Sequence, residues 1–520
     1  MSTPPATFRV LAIAPFKGQC SDCPPPVWID LEDLPDAPSR IQVSVTVPVS
    51  KSIHPDEYLE LKFDKVRDFR PVHILQGNPY LNNILEARNY VREARKKGLP
   101  DSEVIAKLKS WADLPPLTFP EEESRRKGND PSSPIDEILK MVAVSPTEAQ
   151  APWGLKGLEA QLDMFLSKGL SEIFSCPQFK AVEASWQGLS MLAKYGARAD
   201  IKLGILPATQ EGLEESIDQA LADLVVDLPS LILVDFPFDS SPRSMEVLNR
   251  VANLAETLMV PVLAWITHGF FHLESWDQLK GLGFLPHHLD QPAYGKWNEL
   301  KKKASSRWLA VTCNRFLARF PYGKAYPAGV VDFDESTPPW MTPVWGGGAV
   351  ACRSISRTGW PTSLTGTAHG VLEDLGLVET GQGGVTSTEF YPSRDRVDQF
   401  LMAGIVPLCP TKNKDQAFFP SDRTLSGGSL AYQLVLSRVV QMLLWCNEHL
   451  AKDLQGRDLE TEIERVFIGF FEKTGAGRPE RLQISVSKAE MDKRRRVSVA
   501  LHPPRGILTS HEEIRLEVEW

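Results

Sequence analysis

Long apolar runs are missing from this sequence. No stretch of about 18 or more apolar residues occurs, so no membrane-spanning helix is expected. A signal peptide is not expected either. The first residues carry no basic start, and the apolar run 8–16 is broken by Arg9 and Pro15. Cysteine is scarce, seven in 520 residues, which argues against a disulfide scaffold. Together these absences predict a cytoplasmic protein. Positive charge is not in excess: 57 Lys and Arg against 66 Asp and Glu leave a net charge of −9. A binder of nucleic acid or of anionic membrane is usually basic, so neither role is expected.

The short motifs of common enzymes are missing too. The turn after the apolar run 201–206 reads Pro207-Ala-Thr-Gln-Glu-Gly, without the G-x-G-x-x-G of a dinucleotide site. No G-x-x-x-x-G-K-[ST] loop, no G-x-S-x-G elbow and no kinase signature set occurs. Cys20 and Cys23 form a C-x-x-C without a second pair, so two thiols in a Pro-rich loop fit better than a metal site. His268 and His272 lie four apart without the Glu of H-E-x-x-H, and His287-His288 precedes Asp290; packing roles are expected for all four.

Three groups remain as chemical candidates. Asp235 and Asp239 follow an apolar run and could act as a metal ligand and general base, though a loop or cap role is the commoner use of such residues. Asp332, Asp334 and Glu335 form a weak metal-like cluster that reads equally as a solvated loop. The tract Lys493-Arg494-Arg495-Arg496 reads as a basic rim for an acidic partner. No catalytic residue, cofactor or metal is assigned, and the chain is not expected to be an enzyme.

What is present is an alternation of strand and helix patterns. A chain of 520 residues exceeds one ordinary domain. Strands are expected at 8–16 and 41–49, where Ile41, Val43, Val45 and Val47 alternate with other residues, and at 59–63. Leu81, Ile84, Leu85, Arg88 and Val91 have helical spacing, closed by Gly98, and a short helix follows at 103–111. Residues 115–134 are rich in Pro and charge and read as a linker. A short amphipathic segment, 135–142, follows. From 155 onward, helices at 158–174, 179–195, 211–224 and 245–258 alternate with strands at 201–206, 231–236 and 260–266. That order predicts an α/β sheet covered by helices. Residues 330–391 read as irregular, Gly- and Pro-rich sequence. Helices return at 429–449 and 459–473, and strands close the chain at 482–487, 496–501 and 514–520. The predicted division is therefore 1–114, a linker 115–154, and 155–520.

Several of these residues resemble a known family. Phe179, Glu183, Trp186, Gly188 and Leu189, within 176–189, resemble a signature of the large subunit of type VI secretion sheaths. Later landmarks follow in the family's order: Asp235 to Asp239, Pro261 with Trp276, Trp297 with Arg315, Arg319 and Tyr322, Trp345 to Gly348 with Trp360, 395–408 with 415–419, and Leu430, Tyr432, Ser437 and Arg438. Residues 61–71 and 81–88 resemble the small sheath subunit. The resemblance implies a fused small and large subunit in one chain, with an α/β core of mixed α+β character, a small-subunit-like domain at 1–114 and a large-subunit-like domain at 155–520.

That resemblance further implies a structural subunit that polymerises helically, in six-fold rings, around an inner tube and contracts to propel it. A non-contracting baseplate or scaffold adaptor is the alternative. The implied partners are other copies of the chain, an Hcp-like inner-tube protein, baseplate proteins and a Clp-type AAA+ ATPase. Ile135, Ile138, Leu139 and Met141 are similar to the segment that such an ATPase grips, and serve equally as a docking helix. Free edges of alternating strands are aggregation hazards unless paired. In this family they are implied to pair between protomers. The candidates are Ile41, Val43 and Val45 at the front, 8–14 as an alternative there, and Leu482, Ile484, Val486, Ile514, Leu516 and Val518 in the C-terminal strands, 482–520.

Overall fold

A computed structural model describes residues 6–18, 24–119, 154–379, 384–451, 454–487, 495–508 and 513–520. In chain order the strands used below are β1 (Phe8–Ala14), β2 (Val27–Asp30), β3 (Val43–Pro48), β4 (Tyr58–Phe63), β5 (Ile201–Pro207), β6 (Leu231–Phe238), β7 (Val262–Ile266), β8 (Leu309–Cys313), β9 (Ile405–Pro407), β10 (Arg481–Val486), β11 (Arg496–His502) and β12 (Ile514–Glu519). The helices are α1 (Pro79–Lys97), α2 (Asp101–Lys109), α3 (Leu155–Ser175), α4 (Pro177–Gly196), α5 (Leu213–Val226), α6 (Pro242–Leu258), α7 (Pro343–Thr358), α8 (Arg394–Ala403), α9 (Leu430–His449) and α10 (Gly456–Lys473). The mixture of helix and sheet is the fold class expected from the alternating pattern.

Compactness divides the chain into two units. One gathers 1–37, 181–320 and 339–520; the other gathers 38–180 and 321–338. This division does not follow sequence order. The first 37 residues join the unit that holds most of the chain beyond 180, so the front part is not one separate body.

The first unit is built on a seven-stranded sheet in the order β9-β8-β7-β6-β1-β5-β2. All neighbours are parallel except β2, which runs antiparallel to β5 at the edge. β1 sits between β5 and β6, with Phe8 opposite Ile201 and Val10 opposite Leu231. Apart from Arg9, every β1 residue is buried. Continuous apolar sequence is what a strand covered on both faces requires. Both edges of β1 are therefore filled within the chain, and 8–14 is corrected here as a candidate for pairing with another copy. Burial fixes it at the centre of this sheet.

Helix α7 falls inside the region read from sequence as irregular. Three consecutive glycines, Gly346, Gly347 and Gly348, cost helix stability of about 1 kcal/mol each relative to alanine. Close packing outweighs that cost. A Cβ on Gly347 would lie 2.7 Å from Leu263 Cδ1, and one on Gly348 would lie 2.7 Å from Leu233 Cδ1. The glycines let the helix backbone rest directly on β6 and β7. The Cα of Gly188 meets α7 in the same way, since a Cβ there would sit 2.2 Å from the Trp345 ring.

At the end of the same unit, β10, β11 and β12 form an antiparallel sheet in that order. Its register lines up three apolar rows: Leu482–Leu501–Ile514, Ile484–Val499–Leu516 and Val486–Val497–Val518. These rows face α9 and α10 and share a core with Trp360, Val439, Leu443, Phe467 and Phe471. The other face carries Gln483, Ser485, Ser498, Arg515 and Glu517.

In the second unit, β3 and β4 form a hairpin whose Val43, Val45, Val47, Leu59, Leu61 and Phe63 are buried. Ile41 ends a short helix, Ala37–Ile41, one residue before the hairpin. The expected strand therefore begins two residues later than its alternation suggested. α1 starts with Asn78 as N-cap, accepting from the Leu81 N–H at 3.1 Å, and ends at Gly98 in the left-handed region. It packs on α3 through ion pairs of Arg88 with Asp163 at 2.8 Å and Arg92 with Glu159 at 2.9 Å.

Replacing Gly188 by alanine forces the fully buried Trp345 ring to move. The expected loss is about 1–3 kcal/mol of unfolding free energy, from overpacking in a core without slack. Urea unfolding of Gly188→Ala measures it, and an unchanged midpoint contradicts the packing account.

Candidate functional site

Asp235, the strongest catalytic candidate, lies buried within β6. Its Oδ1 accepts from the Thr342 hydroxyl and its Oδ2 from the Trp345 indole N–H, both at 2.6 Å. Thr342 is the N-cap of α7. A carboxylate at a helix N-terminus is favoured by the helix dipole. Burial nevertheless pushes its carboxyl above the usual range, and the two hydrogen bonds pull the other way. Both oxygens are occupied in holding α7 to the sheet.

Asp239 does a different job. Its carboxylate accepts from the Ser241 N–H at 3.0 Å, at the start of α6. Burial raises its pKa, but hydrogen bonds from Ser241 and Ser244 outweigh that and leave it lowered. The two aspartates thus act on two helix starts and share no common ligand point.

Asp332 and Asp334 are exposed, and the other candidates are engaged. Glu335 accepts from the Tyr322 N–H at 3.0 Å and pairs with Lys180 at 3.6 Å. His268 Nδ1 lies 2.7 Å from the Leu273 carbonyl, and His272 Nε2 lies 3.4 Å from the Ser240 hydroxyl. His288 Nε2 lies 2.9 Å from the Tyr294 hydroxyl. Burial, and the nearby His272, hold the His288 pKa below its ordinary value, while burial pushes the Tyr294 hydroxyl up to about 12. Arg495 donates to the Leu454 carbonyl at 3.1 Å, and Arg496 opens β11. Among the described residues no group of three His, Cys, Asp or Glu is placed to hold a metal ion, and no helix is long and apolar enough to cross a membrane. Cys20, Cys23, Ile135, Ile138, Leu139, Met141, Lys493 and Arg494 lie outside the described residues.

Residues from the quoted signatures tie distant segments together instead. Trp186 donates its indole N–H to the Phe16 carbonyl at 3.2 Å, just past β1. Arg319 grips Glu183 in two parallel hydrogen bonds of 2.7 and 3.0 Å. Arg438 donates to the carbonyls of Gly359 and Ala6 at 2.8 and 2.7 Å, and lies over Trp360 and Phe470. Burial lowers its pKa to about 10. Sequence spacing gave no sign that these pairs meet, because each joins segments more than a hundred residues apart, Arg438 and Gly359 excepted.

The strand candidates present two different surfaces. Val43 and Val45 of β3, and Ile514 of β12, are buried, while Leu482, Ile484, Val486, Leu516 and Val518 are partly covered by the core behind them. These side chains hold each sheet to its own helices. Among the described residues, β10 and β12 each pair on one side only, with β11.

Comparison with known proteins finds similarity to the same kind of protein as the signatures. A family model described as EvpB/VC_A0108, tail sheath N-terminal domain, matches residues 229–426. The type VI secretion system sheath protein TssC1 of Pseudomonas aeruginosa is 25% identical over 305 residues, covering 52% of this chain and 61% of the relative. The chain thus spans about three fifths of that relative's length. Among solved structures, the sheath tail protein Lin1278 from Listeria innocua is similar over 59% of each chain, with 9% identity and a TM-score of 0.32. The contracted helical sheath of the anti-feeding prophage is similar over 63% of this chain and 76% of that one, with 10% identity and a TM-score of 0.37.

Two predictions follow from the buried polar groups. Asp235→Ala strands the Trp345 N–H and the Thr342 hydroxyl, and should cost about 2–4 kcal/mol of unfolding free energy. A denaturant titration of the variant checks this. His288 is held neutral in the fold, so its contribution is complete above its ordinary pKa of 6.5 and is lost as pH falls below it. Unfolding midpoints between pH 7.5 and 5 should fall for the native chain and fall less for His288→Gln.

The matching family model and the sheath relative support a structural large subunit of a type VI contractile sheath as the protein that this chain resembles.

Proposed function

We propose that this chain is a structural subunit of a bacterial type VI-like sheath, with small-subunit-like and large-subunit-like parts fused in one polypeptide. It polymerises helically in the cytoplasm around an Hcp-like inner tube and shortens to drive that tube outward. The observation that carries the reading is the tail-sheath family match over 229–426, flanked on both sides by motifs of the same family in the same order.

In this reading, residues 1–114 do the work of the small subunit and 155–520 that of the large one. Fusion fixes their ratio and replaces an encounter between chains with an intramolecular one. The strands around Val43, Val45, Leu482, Ile484, Val486, Ile514, Leu516 and Val518 pair between copies and act as tethers while the globular bodies shift. New contacts between bodies supply the driving force for shortening. Ile135, Ile138, Leu139 and Met141 form the grip for a Clp-type ATPase that recycles the contracted form, and baseplate proteins start the polymer. The adaptor alternative is not favoured, since the matching family model and the curated relative are both sheath proteins.

Negative-stain microscopy of the purified chain, with and without an Hcp-like tube protein, tests the proposal. Long tubes or cogwheel-shaped rings are expected. Discrete small oligomers at every concentration would favour the adaptor reading instead. Co-expressing 1–119 with 154–520 should also yield a tight complex, because β1 of the first piece lies between two strands of the second.

A further inference from the structure

We propose that Lys301 is a site of acylation by small acyl phosphates, with Arg423 seating the phosphate group. The site lies within the first unit and is independent of the sheath reading.

Lys301 lies in the last turn of a short helix, Gly295–Lys302, that leads toward β8. Its ammonium donates to the Ala403 carbonyl at 3.1 Å, and the Arg423 guanidinium donates to the Leu401 carbonyl at 3.1 Å. Both carbonyls belong to the last turn of α8, where the final C=O groups have no partner inside the helix and the dipole favours cations. One helix end thus draws a lysine and an arginine together, although they stand more than a hundred residues apart in sequence.

A lysine attacks a carbonyl carbon only as the neutral amine, because the ammonium has no lone pair. Two surroundings favour the neutral form: exclusion of water and a second cation close by. Lys301 has both. It is half-buried, and burial lowers its pKa below the ordinary lysine range; Asp290 works against this and Arg423 adds to it. Lys302 and Lys303 follow directly and are exposed.

The charge around the amine suits an anionic leaving group. Lys296, earlier on the helix, pairs with Glu246 at 2.6 Å. Among the described residues, Lys301, Lys302, Lys303 and Arg423 have no ion-pair partner. With Lys301 neutral, the other three still outweigh Asp290 and the roughly half charge of a helix end. Arg423 commits Nη1 to Leu401, and its exposed side chain leaves other N–H groups to a phosphate. In the reaction Nζ attacks the acyl carbon and a C–N bond forms. The bond from that carbon to the bridging phosphate oxygen breaks, and phosphate departs with the electron pair. The proton released by the nitrogen passes to water. The amide formed is uncharged, so the end of α8 loses one of its two cations.

The purified full chain is incubated with acetyl phosphate at neutral pH and cut with a glutamate-specific protease. Cleavage after Glu299 leaves Lys301, Lys302 and Lys303 on one peptide, and fragment mass spectra score each lysine separately. Lys301 should gain acetyl groups at least about fivefold faster than its two exposed neighbours, which serve as controls for access. Added inorganic phosphate should compete at Arg423 and slow Lys301 while leaving Lys302 and Lys303 unchanged. Arg423→Gln should bring the Lys301 rate down to that of its neighbours and abolish the effect of phosphate; Arg423→Lys, which keeps the charge, should retain most of the rate. Equal rates at the three lysines overturn the proposal. So does a Lys301 rate that phosphate leaves unchanged, and this comparison uses the native chain, so it holds whether or not the variants fold.

Discussion

The position of β1 between β5 and β6 is the constraint on which the first unit depends. Strands from beyond residue 200 do not pair with one another across that gap; a strand from the first fourteen residues fills it. Its backbone bonds both ways, and six of its seven residues are buried. Polar side chains then hold its ends. Trp186 takes the Phe16 carbonyl after the strand, and Arg438 takes the Ala6 carbonyl before it. Closing a loop of nearly two hundred residues costs only slightly more than closing one half as long, so such a distant strand is thermodynamically accessible.

The same economy of polar groups accounts for the partners of the buried charged residues. Asp235, Glu183, Arg319 and Arg438 have the features that often mark active sites: burial, charge and close partners. Each is saturated by groups of its own unit. Asp235 holds the start of α7, and the Glu183–Arg319 pair and the Arg438 clamp tie distant segments together. Buried polar groups of this kind need partners to be tolerated, and here those partners are structural groups of the same unit.

In the small sheets, side chains and main chain do different work along the same strand. Apolar rows such as Ile484–Val499–Leu516 secure the sheet to α9 and α10. Main-chain groups at the outer edges are a separate resource, directed by whether a side chain such as Glu460 or Asn78 covers them.

Period-two alternation in 43–47 and 514–519, and the strand–helix order after 155, were enough to give the mixed α/β class, since each depends only on local burial of one face. Family signatures pointed to the same likeness as the comparisons for the same reason: they are short and continuous. Helix α7 was not legible, because its three glycines oppose helix locally and only the surfaces of β6 and β7 reward them. Nor was the destination of β1, whose apolar run suits a central strand or an exchanged one equally well. Local sequence determines which residues must be hidden; the tertiary structure decides against what, because that choice is made by partners hundreds of residues away.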